Sequence, residues 1–343
     1  AFNTGIQYEL PQANYYKHLP KLLKEGKIKS RDIDKAVAQA LKLKFELGLF
    51  ENPYVDAKEA IKVSKKPEYK DIALKAAHES IVLLKNDKLL PLPKNKYKKI
   101  AVIGPCAKDV YFGGYAGEPY EKVSLLEGIK KKAGTKAEVL FAQGCKLTTN
   151  TSVSYFNWKY DEIEFASREA NLQLIKKAVD VAKKAEIVIL ALGENEHLCR
   201  EAWAKNHLGD NMTLDLFGEQ SELADAIIAL GKPVVLYLMN GRPLSINKLA
   251  KEVPAIIEGW YMGQETGTAA ADIIFGDVNP SGKLTITFPK SAGQLPMYYN
   301  HKPSAQFHDY LSQDIQPLFC FGYGLSYTRF TYGKPRLKKA TIS

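Results

Sequence analysis

The sequence EIVILALGENEHLCREAWAKNHLGDNMTLDLFGEQ, residues 186–220, joins an apolar run to a long polar loop. Its first seven residues predict a strand that is buried on both faces, as strands of parallel sheets are. The segment at residues 221–230 predicts a helix that ends at Gly231. Because ligands of open α/β sheets bind at the carboxyl ends of strands, the loop between these two elements is predicted to hold a functional site.

Apolar runs and helical patterns alternate along the chain from about residue 67. Strands are predicted at residues 99–104, 137–142, 186–192, 233–239 and 255–260, and helices at residues 69–84, 124–132, 167–184, 221–230 and 264–275. Repeated strand–helix units favour right-handed crossovers and a mostly parallel sheet that helices cover on both faces. The sequence therefore predicts the α/β fold class, followed by an irregular segment with short strands at residues 282–332.

The first sixty or so residues have a different pattern, with helices predicted at residues 15–26 and 30–48 and no strand. Two helices are too little to enclose a core of their own. The opening residues show neither an initiator Met nor a signal-peptide pattern. We expect this segment to pack against a part of the protein that lies outside the chain.

The composition is typical of a globular protein, with 45% hydrophobic and 25% charged residues. The formal net charge is +10, but no nucleic-acid-binding motif accompanies the scattered lysines, so we expect a solvated surface and no nucleic-acid partner. No apolar run approaches the length that crosses a membrane. The four cysteines lie far apart and match no metal-binding spacing.

Several chemistries that α/β proteins support leave no signature in this sequence. The strand at residues 99–104 continues as GPCAKDV, without the GxGxxG turn that binds dinucleotides, and no P-loop is present. The sequence lacks the GxSxG elbow that is typical of serine hydrolases. His197 and His207 lie near several acids, but their spacing matches no standard metal site. We therefore predict neither a cofactor nor a metal.

After these exclusions, the sequence favours a reaction that is catalysed by carboxyl groups. The central loop contains four acids in a region where substrates of such folds bind: Glu194, Glu196, Glu201 and Asp210. Glycoside hydrolysis needs two carboxyl groups, one of which keeps its proton and donates it to the leaving oxygen. Partial burial beside an aromatic ring favours the protonated form, and Trp203 supplies such a ring close to Glu201.

Several long segments resemble the second domain of glycoside hydrolase family 3. These are ALGENEHLCREAWAKNHLGDNMTLDLFGEQ, GKPVVLYLMNGRPL, EGWYMGQETGTAAADIIFGDVNPSGKLTITFP and LFCFGYGLSYTRFTY. The resemblance implies a TIM-type barrel followed by an α/β sandwich that together hydrolyse β-glucosides or β-xylosides with retention. It places the end of the barrel and a linker at residues 1–66, the sandwich at 67–330, and a linker towards a fibronectin-like domain at 331–343.

The resemblance also implies roles for individual residues. The acid/base of the family lies a few residues beyond a Gly-Glu pair, which favours Glu201, with Glu194 as the alternative. If Glu201 is the acid, Glu194 is expected to fix the start of the loop through backbone N–H groups. Three neighbours are expected to orient or tune the acid: Arg200, Trp203 and His207. From its position before a predicted helix, where carboxylates commonly act as caps, Asp210 is expected to pair within the loop.

The loop after the first strand resembles a family segment in which an aromatic ring stacks on the sugar, and Tyr115 and Tyr120 are the candidates. The resemblance places the nucleophilic Asp in the barrel. The second carboxyl group of the reaction is therefore expected to come from a barrel domain in cis, and the chain alone is expected to be inactive. It implies an exo-acting β-glucosidase, with a β-xylosidase or a non-catalytic carbohydrate-binding relative as alternatives. The expected location is periplasmic or secreted, and the expected ligand is a β-linked glycoside.

Overall fold

The computed structural model describes residues 2–10, 12, 14–93, 95–117, 119–149, 163–202, 208–300, 302 and 308–336. The predictions for Trp203 and His207 lie outside these residues. The chain divides into two compact units, Ala1–Lys66 and Pro67–Ser343. Each is described by itself.

The first unit is helical. Its α-helices are α1 (Leu19–Lys24), α2 (Ser30–Glu46) and α3 (Ala57–Ser64), with 3-10 turns at Phe2–Thr4 and Tyr16–His18. The sequence predicted the first two helices but missed α3, which begins where the side chain of Asp56 accepts a hydrogen bond from the backbone N–H of Lys58 (2.8 Å). Large apolar side chains remain exposed along α2, namely Val37, Leu41, Leu43 and Phe45.

The second unit is built on a six-stranded sheet with the order β1-β6-β5-β4-β2-β3. The strands are β1 (Val82–Asn86), β2 (Lys99–Ile103), β3 (Glu138–Ala142), β4 (Ile187–Gly193), β5 (Val234–Met239) and β6 (Ala255–Glu258). All pairs are parallel except β1 with β6. The predicted α/β class and mostly parallel sheet are confirmed.

Helices cover both faces of this sheet. They are α4 (Pro67–Ser80), α5 (Leu125–Ala133), α6 (Arg168–Lys183), the single-turn α7 (Glu196–Cys199), α8 (Gln220–Ile228), α9 (Asn247–Glu252) and α10 (Thr266–Phe275). Residues of α4, α5 and α10 share one buried apolar cluster, and residues of α6, α8 and α9 share the other. Successive residues of β4 alternate between the two clusters, and all seven are buried. This explains why β4 reads as a continuous apolar run.

The predicted helix at residues 69–84 is wrong in its last turn. The helix α4 ends at Ser80, and Val82 begins the strand β1, which pairs antiparallel with β6 at the edge of the sheet. Residues 81–84 are all buried, so this apolar run belongs to a strand rather than to one face of a helix. In such a short run, periodicity alone cannot separate the two structures.

The tail at residues 282–332 contains isolated bridges rather than strands in its described part. Phe288 bridges Phe319, and Leu325 bridges Leu83 of β1, with the N–H of Leu325 donating to the Leu83 carbonyl at 2.8 Å. The tail therefore covers the outer edge of β1, which limits the exposed backbone of an edge strand.

Candidate active site

The site is built at the carboxyl end of β4, in the centre of the sheet. Gly193, the last residue of β4, has φ 147°, and a Cβ at this position would lie 1.9 Å from the Met239 carbonyl oxygen at the end of β5. Only glycine permits this approach of two strand ends. The next residue, Glu194, then donates its N–H to the same Met239 carbonyl (2.8 Å). The polar loop therefore starts from a fixed point.

The side chain of Glu194 is fully buried and paired with Arg242, which follows β5. Arg242 Nε donates to Oε2 at 2.9 Å, and Arg242 Nη2 donates to Oε1 at 2.6 Å. The third nitrogen, Nη1, donates to the Thr213 carbonyl at 2.9 Å. A planar guanidinium suits this bidentate contact. Arg242 thus joins the start of the loop to its far end.

Burial and pairing act in opposite directions on this pair. Burial raises the pKa of Glu194, and the hydrogen bonds and charge of Arg242 oppose that increase. Burial also disfavours the charged form of Arg242, but the contacts with Glu194 outweigh it and raise the pKa of the guanidinium. Such a pair is costly to break from the Arg242 side, because the Glu194 carboxylate would then be a buried charge without a partner.

The sequence predicted that Glu194, in a structural role, would bind backbone N–H groups, and this is wrong. Both of its carboxylate oxygens accept from the Arg242 side chain instead. The reason is topological. The strands β4 and β5 are parallel neighbours, so the residues that follow them meet at one edge of the sheet.

The loop beyond Glu194 closes on itself around Arg200 and Asp210. The N–H of Asp210 donates to the Arg200 carbonyl (2.7 Å), and Arg200 Nε donates to the Leu208 carbonyl (2.8 Å). Asp210 has φ 49°, a left-handed conformation that Asp tolerates better than most residues. Its Oδ2 accepts from the N–H of Ala202 at 3.0 Å. The prediction that Asp210 pairs within the loop is confirmed.

Glu201 lies between these two anchored residues, Arg200 and Ala202, and is exposed. The partial burial that the sequence predicted for Glu201 is therefore not observed in the described part of the chain. Its backbone is nevertheless fixed on both sides, by the Arg200–Asp210 and Ala202–Asp210 hydrogen bonds. The result is an exposed residue on a tethered segment.

A second contact holds the part of the loop that precedes Glu201. The hydroxyl of Tyr261, which follows β6, donates to the Glu194 carbonyl at 3.0 Å and lies 3.2 Å from the Sγ of Cys199. Cys199 ends the single turn α7 and is two residues from Glu201. Tyr261 is thus a further link between the sheet and the loop.

Tyr115 and Tyr120 lie in the segment after β2 and are exposed by 86% and 62%. In the same segment, a Cβ placed on Gly113 would lie 3.7 Å from the Tyr261 ring. The segment therefore runs beside the residue that supports the Glu194–Cys199 turn.

No group of three or more His, Cys, Asp or Glu residues that could hold a metal ion is found in the described ranges. Sequence reasoning missed Arg242 and Tyr261. Each lies three residues beyond the end of a parallel strand, so a position just after the carboxyl end of β5 or β6 was the sequence signal for them.

A comparison with family models decides which proteins the chain is related to. Residues 81–327 match the glycosyl hydrolase family 3 C-terminal domain. The chain belongs to glycosyl hydrolase family 3. This confirms the family that the sequence motifs indicated.

Individual curated proteins are also similar to the chain. A β-xylosidase of Formosa agariphila is 41% identical over 324 residues, which cover 91% of this chain and 41% of the relative. A periplasmic β-glucosidase of Salmonella typhimurium is 38% identical, and the match covers 100% of this chain and 46% of the relative. The chain therefore spans less than half the length of these two relatives.

A solved β-glucosidase structure shares the fold of the chain. A β-glucosidase from Erythrobacter marinus superimposes with a TM-score of 0.87 at 41% sequence identity, covering 99% of this chain and 46% of the other. Within the described residues, no helix is long and apolar enough to cross a membrane.

Proposed function

We propose that the chain supplies the acid/base half of a retaining, exo-acting β-glycosidase of the β-glucosidase type. The observation that carries this proposal is the position of Glu201, an exposed carboxyl group on a loop tethered at the carboxyl end of a central parallel strand. In this role Glu201 protonates the leaving glycosidic oxygen and later activates the water that releases the sugar.

The contacts of Glu194 support the choice of Glu201. Both Glu194 oxygens accept hydrogen bonds from Arg242 in a fully buried position. A proton donor must reach the leaving oxygen, and a carboxylate held in this way would first have to leave its only cation among the described residues. Glu194 therefore fixes the loop, and Glu201 performs the proton transfer.

The second carboxyl group, in this proposal, belongs to a TIM-type barrel domain in cis, with residues 1–66 at the end of the barrel and residues 67–330 as the sandwich. Retaining enzymes hold their two carboxyl groups about 5–5.5 Å apart. Two observations support a further domain. The chain covers only 46% of the Salmonella typhimurium relative, and α2 carries exposed apolar side chains such as Val37 and Phe45.

The substrate we propose is a β-linked glucoside, since the relatives include β-glucosidases from two organisms. A β-xyloside is the second candidate, favoured by the relative named β-xylosidase. Tyr115 and Tyr120 offer exposed rings that match the apolar face of a sugar. We further propose that Arg200, Trp203 and His207 orient or tune the acid. A relative named periplasmic supports a periplasmic or secreted location.

The proposal that each of two domains supplies one carboxyl group can be tested with two proteins. The 343-residue chain and the full-length protein are each assayed with an aryl β-glucoside and an aryl β-xyloside. We expect turnover by the full-length protein and none by the chain, because the chain holds one half of the carboxyl pair. Turnover by the purified chain alone would refute the proposed division. A full-length protein that binds both glycosides without turnover would favour a non-catalytic carbohydrate-binding relative.

A further inference from the structure

Glu258, the last residue of β6, is a fully buried acid without a cation. Its Oε1 accepts from the N–H of Trp260 (2.9 Å), and its Oε2 accepts from Nδ2 of Asn240 (3.1 Å). Within the described chain, no Lys or Arg side chain pairs with it. Buried acids are seldom found without a charged partner, so the presence of Glu258 at this position needs an explanation, and its two hydrogen bonds supply one.

The first hydrogen bond holds the turn that follows β6. Trp260 has φ 54°, a left-handed conformation that is uncommon for an aromatic residue. The bond from its N–H to Glu258 stabilises this turn. The next residue is Tyr261, whose hydroxyl contacts the Glu194 carbonyl and the Sγ of Cys199. This turn therefore sets the position of the contact that supports the loop before Glu201.

The second hydrogen bond holds the turn that follows β5. Asn240 Nδ2 donates both to Glu258 Oε2 (3.1 Å) and to the Arg242 carbonyl (2.9 Å). Arg242 then binds the Glu194 carboxylate and the Thr213 carbonyl. Through this turn, the same buried acid is connected to the start of the loop and to its far end.

We propose that Glu258 is a positioning residue for the loop that carries Glu201. Its two oxygens hold the turns after β5 and β6, and these turns present Arg242 and Tyr261 to the loop. Glu258 touches neither substrate nor the reacting atoms, and it acts through these two residues. The proposal rests on the proposed function of Glu201 as the acid/base.

The carboxyl group has a property that an amide lacks at this position. Either protonation state of a carboxyl group leaves both oxygens able to accept, whereas the amide of Gln has one acceptor and two donor hydrogens. Glu258→Gln therefore keeps one of the two hydrogen bonds, and Glu258→Leu loses both. Glu252→Gln, at the exposed end of α9, makes the same chemical change without contact to either turn.

The first measurement is amide hydrogen exchange in the full-length protein. The amides that report on the loop are those of Arg200, Ala202 and Asp210, which donate within it. We expect exchange of the segments that contain them to accelerate on the order of tenfold in Glu258→Gln, while β4 stays as in the wild type. Glu252→Gln should leave both unchanged. Equal acceleration in the loop and in β4 would mean a global loss of stability and would overturn the proposal.

The second measurement compares kcat/KM for two aryl β-glucosides, one with a strongly activated leaving group and one without. Misplacing the acid slows the unactivated substrate more, so Glu258→Gln should widen the ratio of the two values about tenfold, and Glu258→Leu by more. An unchanged ratio in Glu258→Gln would overturn the proposal, even if Glu258→Leu failed to fold. A wild-type protein without activity would refute the proposed function instead, and the exchange comparison would then decide the role of Glu258.

Discussion

The guanidinium of Arg242 donates to both carboxylate oxygens of Glu194, at 2.9 and 2.6 Å, in a position where the Glu194 side chain is fully buried. The pair joins the residues that follow two neighbouring parallel strands, β4 and β5. It also makes the surroundings of the two candidate proton donors, Glu194 and Glu201, different. Glu194 is engaged by a cation, whereas Glu201 is exposed seven residues further along the same loop.

Arg242→Met should be strongly destabilising, because it leaves the Glu194 carboxylate buried without its cation. Breaking a buried ion pair from one side costs about 3–5 kcal/mol. The free energy of unfolding in urea measures this. The matched control is Lys248→Met, which removes the exposed ion pair with Asp225 (2.5 Å) and should cost at most about 1 kcal/mol. Equal losses in the two variants would show that the Arg242 pair is not structural.

The central strand was the most predictable element, and the reason is its burial. Every residue of β4 is buried, and its apolar run of seven residues has the length of a strand rather than that of a buried helix. The edge strand β1 was less predictable, since Val82 and Leu83 continue an apolar pattern that begins in the helix α4. The pairing of β1 with β6 is what distinguishes this strand from the end of α4. Strand pairing cannot be recognised from a single segment of sequence.

The candidate site was predictable where it is continuous in sequence. The loop from residue 193 to 220 stands out by its length, its acids and the buried strand before it. Arg242, Glu258 and Tyr261 were missed because they reach the loop through the sheet order, in which β4, β5 and β6 are adjacent. A sequence indicates that strands exist, but the register that brings their ends together depends on long-range packing.

Glu258 should make stability depend on pH. Burial raises the pKa of Glu258 from 4.5 to about 8. At a pH between these two pKa values, the Glu258 carboxyl group has lost its proton in the unfolded chain and keeps it in the folded chain. Rising pH therefore favours unfolding. The stabilisation from the raised pKa is complete below about pH 4.5 and is lost as pH rises through about 8, by on the order of a few kcal/mol.

Glu258→Gln has no group to titrate at this position, so its unfolding free energy should fall less between about pH 5 and 8 than that of the wild type. Urea unfolding at both pH values measures the difference. The hydrogen bond lost in the variant is the same at both pH values and cancels. Glu252→Gln should follow the wild type. A fall of equal size in Glu258→Gln would show that Glu258 ionises normally in the folded protein.

Asp210 should matter for the position of Glu201 through its contact with Ala202. Asp210→Ala removes the Oδ2 acceptor of the Ala202 N–H and places Ala at φ 49°. Asp210→Asn keeps an acceptor oxygen and a residue type that tolerates this conformation. We expect Asp210→Ala to lower kcat/KM for an unactivated aryl β-glucoside on the order of tenfold, and Asp210→Asn to stay close to the wild type. If the two variants behave alike, the contact does not position the acid.

The most direct test of the proposed acid/base is the leaving-group dependence of Glu201→Ala in the full-length protein. Protonation of the leaving oxygen contributes roughly 10²–10⁴-fold, so substrates with poor leaving groups should lose about that much. Strongly activated aryl β-glucosides should lose less in the first step. Azide needs no general base, and it should restore breakdown of the glycosyl intermediate and yield a β-glucosyl azide.

Glu194→Ala is the comparison that decides between the two acids. We predict that only Glu201→Ala combines the leaving-group dependence with azide rescue, whereas Glu194→Ala loses stability because Arg242 remains without its partner. The decisive measurement is kcat/KM on the two classes of substrate, with and without azide, for both variants. Full activity of Glu201→Ala on unactivated β-glucosides, together with azide rescue of Glu194→Ala, would contradict the assignment and make Glu194 the acid.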